Sequence, residues 1–356
     1  MTTQSKHLTR DEADAVGREL DALRQEVIAS LGPRDVDHIR RTIRAAHYDE
    51  AAGRLLLHFG IGPFSFVAGV AALSVAKILE NMEIGHNVMH GQWDWMNDPA
   101  IHSSSWEWDT VCPSSQWKHS HNVVHHTWTN VLERDHDVGY QIMRVSAEQP
   151  WRPSYLLQPL YNVLLAALFQ WGVAVHDIDA DALRERRIGW SDIKPLVRGI
   201  AKKASKQVFK DYVFFPALAG PFFFWVLGAN AVANLIRNLW SYAIIFCGHF
   251  PDGAHVFHEQ DIANETRAAW RLRQILGSCN IEGGPLFHVM SGNLSFQIEH
   301  HLFPDLPSNR YAEAAVRVKA LCEKHGIPYN SGSFARQLGT TFRTIFRLSL
   351  PNEALA

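Results

Sequence analysis

Three short runs carry most of the residues that could do chemistry: His86-Asn87-Val88-Met89-His90, His121-Asn122-Val123-Val124-His125-His126 and Gln297-Ile298-Glu299-His300-His301. Imidazole is the commonest metal-binding side chain, and seven histidines gathered in three runs point to metal. On a helix the i,i+4 pair His86/His90 shares one stripe, with Met82 and either Asn87 or Glu83 beside it. The tandem pairs His125/His126 and His300/His301 aim two rings at neighbouring positions near a helix end. One zinc is satisfied by three or four protein ligands, so a set of seven or more implies two ions. An all-nitrogen set without cysteine suits iron, copper or zinc rather than magnesium or calcium. Taken alone, the first pair also fits two helix-end histidines facing lipid headgroups; the three histidines of the second run are harder to explain as packing.

Further candidates surround these runs. Gln297 stands where one more histidine would complete an HxxHH pattern, and its amide oxygen could bind a metal weakly or through water. His249, in FCGHFPDG, ends an apolar segment that has to return to the same side as the runs, and it is the leading ligand candidate outside them. His119 could swing toward the second run, although alternation along the segment points it elsewhere. His102, His136, His255, His258 and His288 read as surface or loop residues. Ligating imidazoles usually donate their second ring N–H to a carboxylate or carbonyl, which makes Glu83, Glu107, Asp109, Asp135, Asp137 and Glu299 candidate partners, each of which could equally be a surface charge or a helix cap.

The elements that must position these groups are membrane helices. The 356 residues are 47% hydrophobic with a mean hydropathy of -0.14, which alone describes an ordinary soluble enzyme. Local distribution says otherwise. Residues 61–84 and 212–250 carry apolar runs of the length a bilayer crossing needs, about 20 residues each. The expected fold is an all-α integral membrane protein: transmembrane helices, interfacial helices, and a cytoplasmic histidine-rich cap. Residues 1–53 read as a cytoplasmic amphipathic region, broken at Gly32-Pro33 and too polar to open with a cleavable signal peptide. Residues 54–350 form the remaining domain, with crossings within 54–90 and 212–250, an interfacial or re-entrant segment at 155–175, and the cap at 91–150 and 251–350. The second apolar run is expected to supply two crossings, split near Ala229–Asn234, so that all three histidine runs share one side. Six tryptophans between Trp93 and Trp128 suggest a face at the headgroup level.

Charge narrows the partners. A net charge of -2 argues against nucleic acid. Between Arg184 and Lys210, however, nine cations face only Glu185 and Asp192, a strip that could hold anionic lipid or an acidic protein, or simply be a solvated helix face. The four cysteines form no CxxC pair and read as reduced thiols in a cytoplasmic setting.

The layout HxxxH, HxxxHH and QxxHH with apolar crossings between resembles the membrane fatty acid desaturases. Within that family ENMEIGHNVMHGQWDWMNDP, HNVVHHTWTN, FCGHFPDG and MSGNLSFQIEHHLFPDLPSNR are similar to the mycobacterial-type acyl-CoA desaturases described as NADPH-dependent stearoyl-CoA 9-desaturases. The resemblance covers residues 10 to 350. It implies a di-iron enzyme of the bacterial cell membrane, its catalytic face cytoplasmic, that uses O2 and two electrons to place a cis double bond in a long-chain fatty acyl-CoA or acyl lipid. The carried-over ligands are His86, His90, His121, His125, His126, His300 and His301, with His249 matching the extra histidine near the final crossing. Gln297 departs from an all-histidine third box and resembles the front-end type, so its role as ligand or spectator stays open. No HPGG stretch of a fused cytochrome b5 and no Gly-rich nucleotide fingerprint occurs, so electrons are expected from a ferredoxin or an NADPH-dependent iron-sulfur flavoprotein reductase, with the 184–210 strip as a plausible dock.

Three rivals share parts of this pattern. A di-iron membrane hydroxylase acting on a lipid or alkane would add one oxygen rather than remove two hydrogens. A membrane zinc hydrolase would need an HExxH-type carboxylate, which the chain lacks. A non-catalytic metal- or lipid-binding membrane protein leaves the surplus of ligands unexplained.

Overall fold

Thr9 starts the first helix with a capping box: its hydroxyl accepts from the Glu12 backbone N–H while the Glu12 carboxylate accepts from the Thr9 N–H. In the computed structural model residues 8–352 are described; residues 1–7 of the amphipathic region lie outside them. Helix α1 (Arg10–Ala29) lays Val16, Leu20, Leu23 and Val27 against Leu272, Ile275, Leu302 and Val318 of the C-terminal cap. After the Gly32-Pro33 break, α2 (Pro33–Phe59) descends. α3 (Gly62–Leu79) returns beside it. At their crossing a Cβ on Gly53 would lie 3.0 Å from the Gly69 carbonyl, so only small residues allow this backbone approach.

α3 runs on as a wide π-helical turn, Glu80–His86, and a last α-turn, Asn87–Met89. The second histidine run is built the same way. α4 (Ser114–Trp117) passes into a π-helix at Lys118–His125 and ends at His126–Trp128. His86 and His90 share one face as expected, their ring centroids 4.7 Å apart and the His90 N–H donating to the His86 carbonyl; the π-turn lies ahead of the pair, and such turns gather at functional sites.

Among the described residues, two helical stretches are long and apolar enough to cross a membrane, Gly62–Met89 and Gly220–His249. The second is dominated by α8 (Phe223–His249), which has no break at Ala229–Asn234. The expected split is corrected: the turn falls earlier, at Ala219–Phe222, after the helix α7 (Trp190–Phe209) has continued through Lys210–Leu218. The polar residues that suggested a break are buried partners instead. Asn230 donates to the Asp211 carbonyl at 2.6 Å and Asn234 to its carboxylate at 3.0 Å, while Lys77 pairs with the same carboxylate at 2.9 Å.

Residues 153–175 form two short helices, α5 (Gln158–Ala167) and α6 (Phe169–Val175), in a segment bent by 99°. The tryptophans belong in large part to the core rather than a headgroup face: Trp93, Trp108 and Trp117 are buried, and Trp117 stacks on His121. The cap closes with α9 (Arg267–Leu276), α10 (Gln297–Leu302), α11 (Tyr311–His325) and α12 (Phe334–Arg347). Among the described residues the helical expectation is departed from by a parallel pair of three-residue strands, Asn280–Glu282 with Ser331–Ser333, and an isolated parallel bridge between Val131 and Phe257.

Candidate metal centre

Segments far apart in sequence bring their rings to two adjacent points. His86, His90, His121 and His300 place one candidate ligand atom each within 4.8 Å of the others, and His125, His249 and His301 do the same beside them. His126 lies between the groups, its ring 4.7 Å from His90, 4.8 Å from His300 and 4.5 Å from His301. His86 and His121 meet Nε2 to Nε2 at 3.3 Å, as do His249 and His301.

Four Nδ1 atoms are already engaged behind their rings. Asn87 Oδ1 lies 3.1 Å from that of His86, the Asp135 carboxylate 3.0 Å from that of His125, Gln274 Oε1 3.1 Å from that of His301, and the Tyr311 hydroxyl 3.3 Å from that of His300. Asp137 Oδ2 stands 3.4 Å from His125 Nδ1 and 3.7 Å from His121 Nδ1. This pattern fixes tautomers so that Nε2 faces inward.

The inward atoms fit a cation. Nε2 of His90, His125 and His300, both ring nitrogens of His126, and Oε1 of Gln297 are buried with no hydrogen-bond partner. Leaving a polar atom so placed costs about 1–3 kcal/mol, and metal coordination removes that cost. The Gln297 amide sits between the two rings of the second group, Nε2 lying 3.0 Å from His249 Nε2 and 3.1 Å from His301 Nε2. Turning the amide over would present the oxygen there.

Electrostatics keep most rings ready to ligate. Burial first, then neighbouring rings, hold His90, His126, His300 and His301 well below 6.5, and His121 falls to about 4 despite Asp137. His125 is the exception. Burial pushes it down as well, but the charges of Asp135 and Asp137 outweigh burial and lift it to about 9.

Of the expected carboxylate partners, only Asp135 and Asp137 face the rings. Glu83 acts at one remove, accepting from Asn87 Nδ2 at 3.4 Å and Asn293 Nδ2 at 2.9 Å. Three are corrected. Glu107 caps Ser114 and pairs with Lys203, and Asp109 pairs with Lys77 and Lys210. Glu299 points to the opposite face of α10, accepting from Asn280 at 2.8 Å and Tyr329 at 2.9 Å. His119 is exposed, 3.7 Å from Asp177. His102, His136, His255, His258 and His288 are in neither group. Gln274, Tyr311 and His176 were not anticipated, whereas Asn87 was already placed beside the first pair by the helical stripe.

A cavity reaches both groups at once: His86 and His121 of the first and His125 and His249 of the second form part of its wall, with Trp117, Phe169, Ile245 and Leu294 supplying apolar surface.

Comparison with known proteins agrees with this geometry. A family model described as fatty acid desaturase matches residues 62–333. The chain is 50% identical to an NADPH-dependent stearoyl-CoA 9-desaturase of Mycobacterium tuberculosis, covering 98% of this chain and 83% of the relative. It is 24% identical to fatty acid desaturase 3 of Homo sapiens over 82% of this chain and 62% of that protein, and 26% identical to an acyl-lipid (7-3)-desaturase of Rebecca salina over 65% and 53%.

Proposed function

The chain belongs to the fatty acid desaturase family, membrane oxidoreductases acting on fatty acyl groups, and from that premise we propose that it is a di-iron, O2-dependent desaturase of a long-chain acyl-CoA such as stearoyl-CoA. The balanced reaction is R-CH2-CH2-R' + O2 + 2 electrons + 2 H+ giving R-CH=CH-R' + 2 H2O, with a cis product. His86, His90, His121 and His300 would hold one iron and His125, His249 and His301 the other, with His126 between them and Gln297 beside the second. Bound iron supplies the oxidising power that an unactivated C–H bond demands, since such a bond offers no charge for acid–base catalysis to grip.

The protein's own part is to bind and orient. The observation that carries the reading is the shared cavity wall, where an acyl chain would lie against rings of both groups simultaneously. Neighbouring methylenes are then held in register with the metal centre, which is the positioning an enzyme contributes to such a step. The same arrangement favours desaturation over the simple metal store, which needs no apolar cavity.

Electrons would come from a ferredoxin or an NADPH-dependent iron-sulfur flavoprotein reductase on the cytoplasmic side. Lys194, Arg198, Lys202 and Lys206 support this, forming an exposed i,i+4 row along α7 with no acidic partner among the described residues.

Expression in a desaturase-deficient host, followed by gas chromatography–mass spectrometry with double-bond derivatisation, tests the reading. A product lighter by two hydrogens is expected. A product heavier by one oxygen would instead establish a hydroxylase, and unaltered acyl chains in cells holding the iron-loaded protein would end the proposal.

A further inference from the structure

We propose that His176 is a positioning residue for both metal positions, fixing Asp137, the one carboxylate among the described residues that stands behind a ring of each group. The proposal rests on the metal-binding reading of the two groups. His176 follows α6, outside every histidine run, and its side chain is only 4% exposed. Its Nε2 lies 2.8 Å from Asp137 Oδ1 and its Nδ1 2.7 Å from the Val173 carbonyl oxygen. The Val173 carbonyl can only accept, so Nδ1 carries a proton and Nε2 is turned toward the carboxylate. The ring thus holds one oxygen of Asp137 while the other faces His121 and His125.

The scaffold around His176 is strained in its favour. Gly139, Tyr140 and Gln141 are three consecutive residues in the left-handed region, with φ of 62°, 51° and 59°, and two of them carry a Cβ. Non-glycine residues persist there only where surrounding structure compels them, and such strain gathers at functional sites. The turn places the Tyr140 ring 5.4 Å from the His176 ring and lets Gln141 Nε2 donate to the His176 carbonyl at 2.6 Å.

Without the ring, Asp137 would lose the anchor on its Oδ1, so His121 and His125 would lose a common reference. The test uses the full-length membrane protein, loaded with cobalt(II) as a spectroscopic probe, and the variants H176F and H176G. For H176F, kcat should fall about 10- to 100-fold, the range for outer partners of metal ligands, with KM for the acyl substrate within about twofold and the visible cobalt bands altered. For H176G, added imidazole should restore the bands and the turnover.

Wild-type bands and kcat in H176F would overturn the proposal. So would an H176G protein that inserts normally but whose altered bands imidazole does not restore, because that marks a merely structural role. Should H176F fail to insert, H176G decides. The cobalt spectrum needs no turnover, so a wild-type protein that binds cobalt yet desaturates nothing would sink the desaturase reading while leaving the His176 test intact.

Discussion

Gly248 lies so close to Gln297 that a Cβ at position 248 would stand 2.9 Å from both Cγ and Cδ of the glutamine. Glycine at the end of α8 is therefore what admits the amide between His249 and His301. Gly248→Ala must push Gln297 aside, because the clash involves the middle of the side chain and not a mobile tip. If the amide supports the second iron, Gly248→Ala and Gln297→Ala should each lower turnover about tenfold or more. The double variant should be little worse than either, the signature of coupled neighbours. Turnover and metal content of the three variants check this, and additive losses would separate the glycine from the glutamine.

His125 should be the ring whose loss is felt most plainly in metal loading. His125→Ala is expected to insert in the membrane, bind fewer irons per protomer and form no new double bonds, read by elemental analysis and fatty acid profiling; retained unsaturation would remove it from the ligand set. Its proton gives a second handle. With a folded pKa of about 9, the metal-free ring is charged at neutral pH, and a metal must expel that proton. Metal affinity should therefore rise as pH goes from 7 to 9, with about one proton released per protein from this ring. For the metal-free fold the sign is opposite. A raised folded pKa stabilises fully below the ordinary 6.5 and the contribution vanishes as pH climbs through about 9. Asp135→Asn should flatten both dependences.

The amphipathic N-terminal region is tied to the C-terminal cap by a bidentate pair. Arg310 Nε and Nη2 lie 2.5 and 2.7 Å from the two oxygens of Asp35, and both side chains are buried. Arg310→Ala leaves the carboxylate without its counter-charge, a change that costs about 3–5 kcal/mol in comparable buried pairs. A fall in thermal midpoint should follow, with iron content at low temperature unchanged. Burial pushes the Asp35 carboxyl up, but bonds from Arg310, Asn309 and the Gly32 N–H outweigh it and hold it below 3.8. The stabilisation is therefore complete above 3.8 and is lost as pH falls below it. An Arg310→Ala protein as stable as wild type would show the pair to be dispensable.

The cationic row on α7 predicts a partner of opposite sign. Lys202→Glu with Lys206→Glu should raise KM for an acidic iron-sulfur donor about tenfold at low salt and weaken the dependence of rate on ionic strength. KM for the acyl substrate should stay put. Steady-state kinetics at two salt concentrations measure both, and an unchanged donor KM would move the docking surface elsewhere.

What the sequence made legible was whatever is written locally. HxxxH, HxxxHH and HH spacings identified the seven rings of the histidine runs that the fold gathers, and His249 could be found because an apolar segment ended on it. The helix turn before Phe223 was misplaced because Asn230 and Asn234 look like a polar interruption until Asp211 arrives from another helix to meet them. Glu107, Asp109 and Glu299 were drawn in by nearness along the chain, whereas three-dimensional orientation sends each to a different partner. Gln274, Tyr311 and His176 had no spacing to betray them. They reach the centre from α9, α11 and the end of a bent segment, so only tertiary packing assigns them.

Neither group of rings is local to one stretch of chain: the first waits for His300 to join His86, and the second for His301 to join His125. During synthesis, then, the chain through His301 must leave the ribosome before either group of rings is complete. If these groups hold metal, loading would follow the arrival of His300 and His301 and would not guide the earlier helices. A nascent chain halted before residue 300 should be membrane-bound and iron-free, and iron shortage in the cell should accumulate a folded apoprotein rather than abort its assembly.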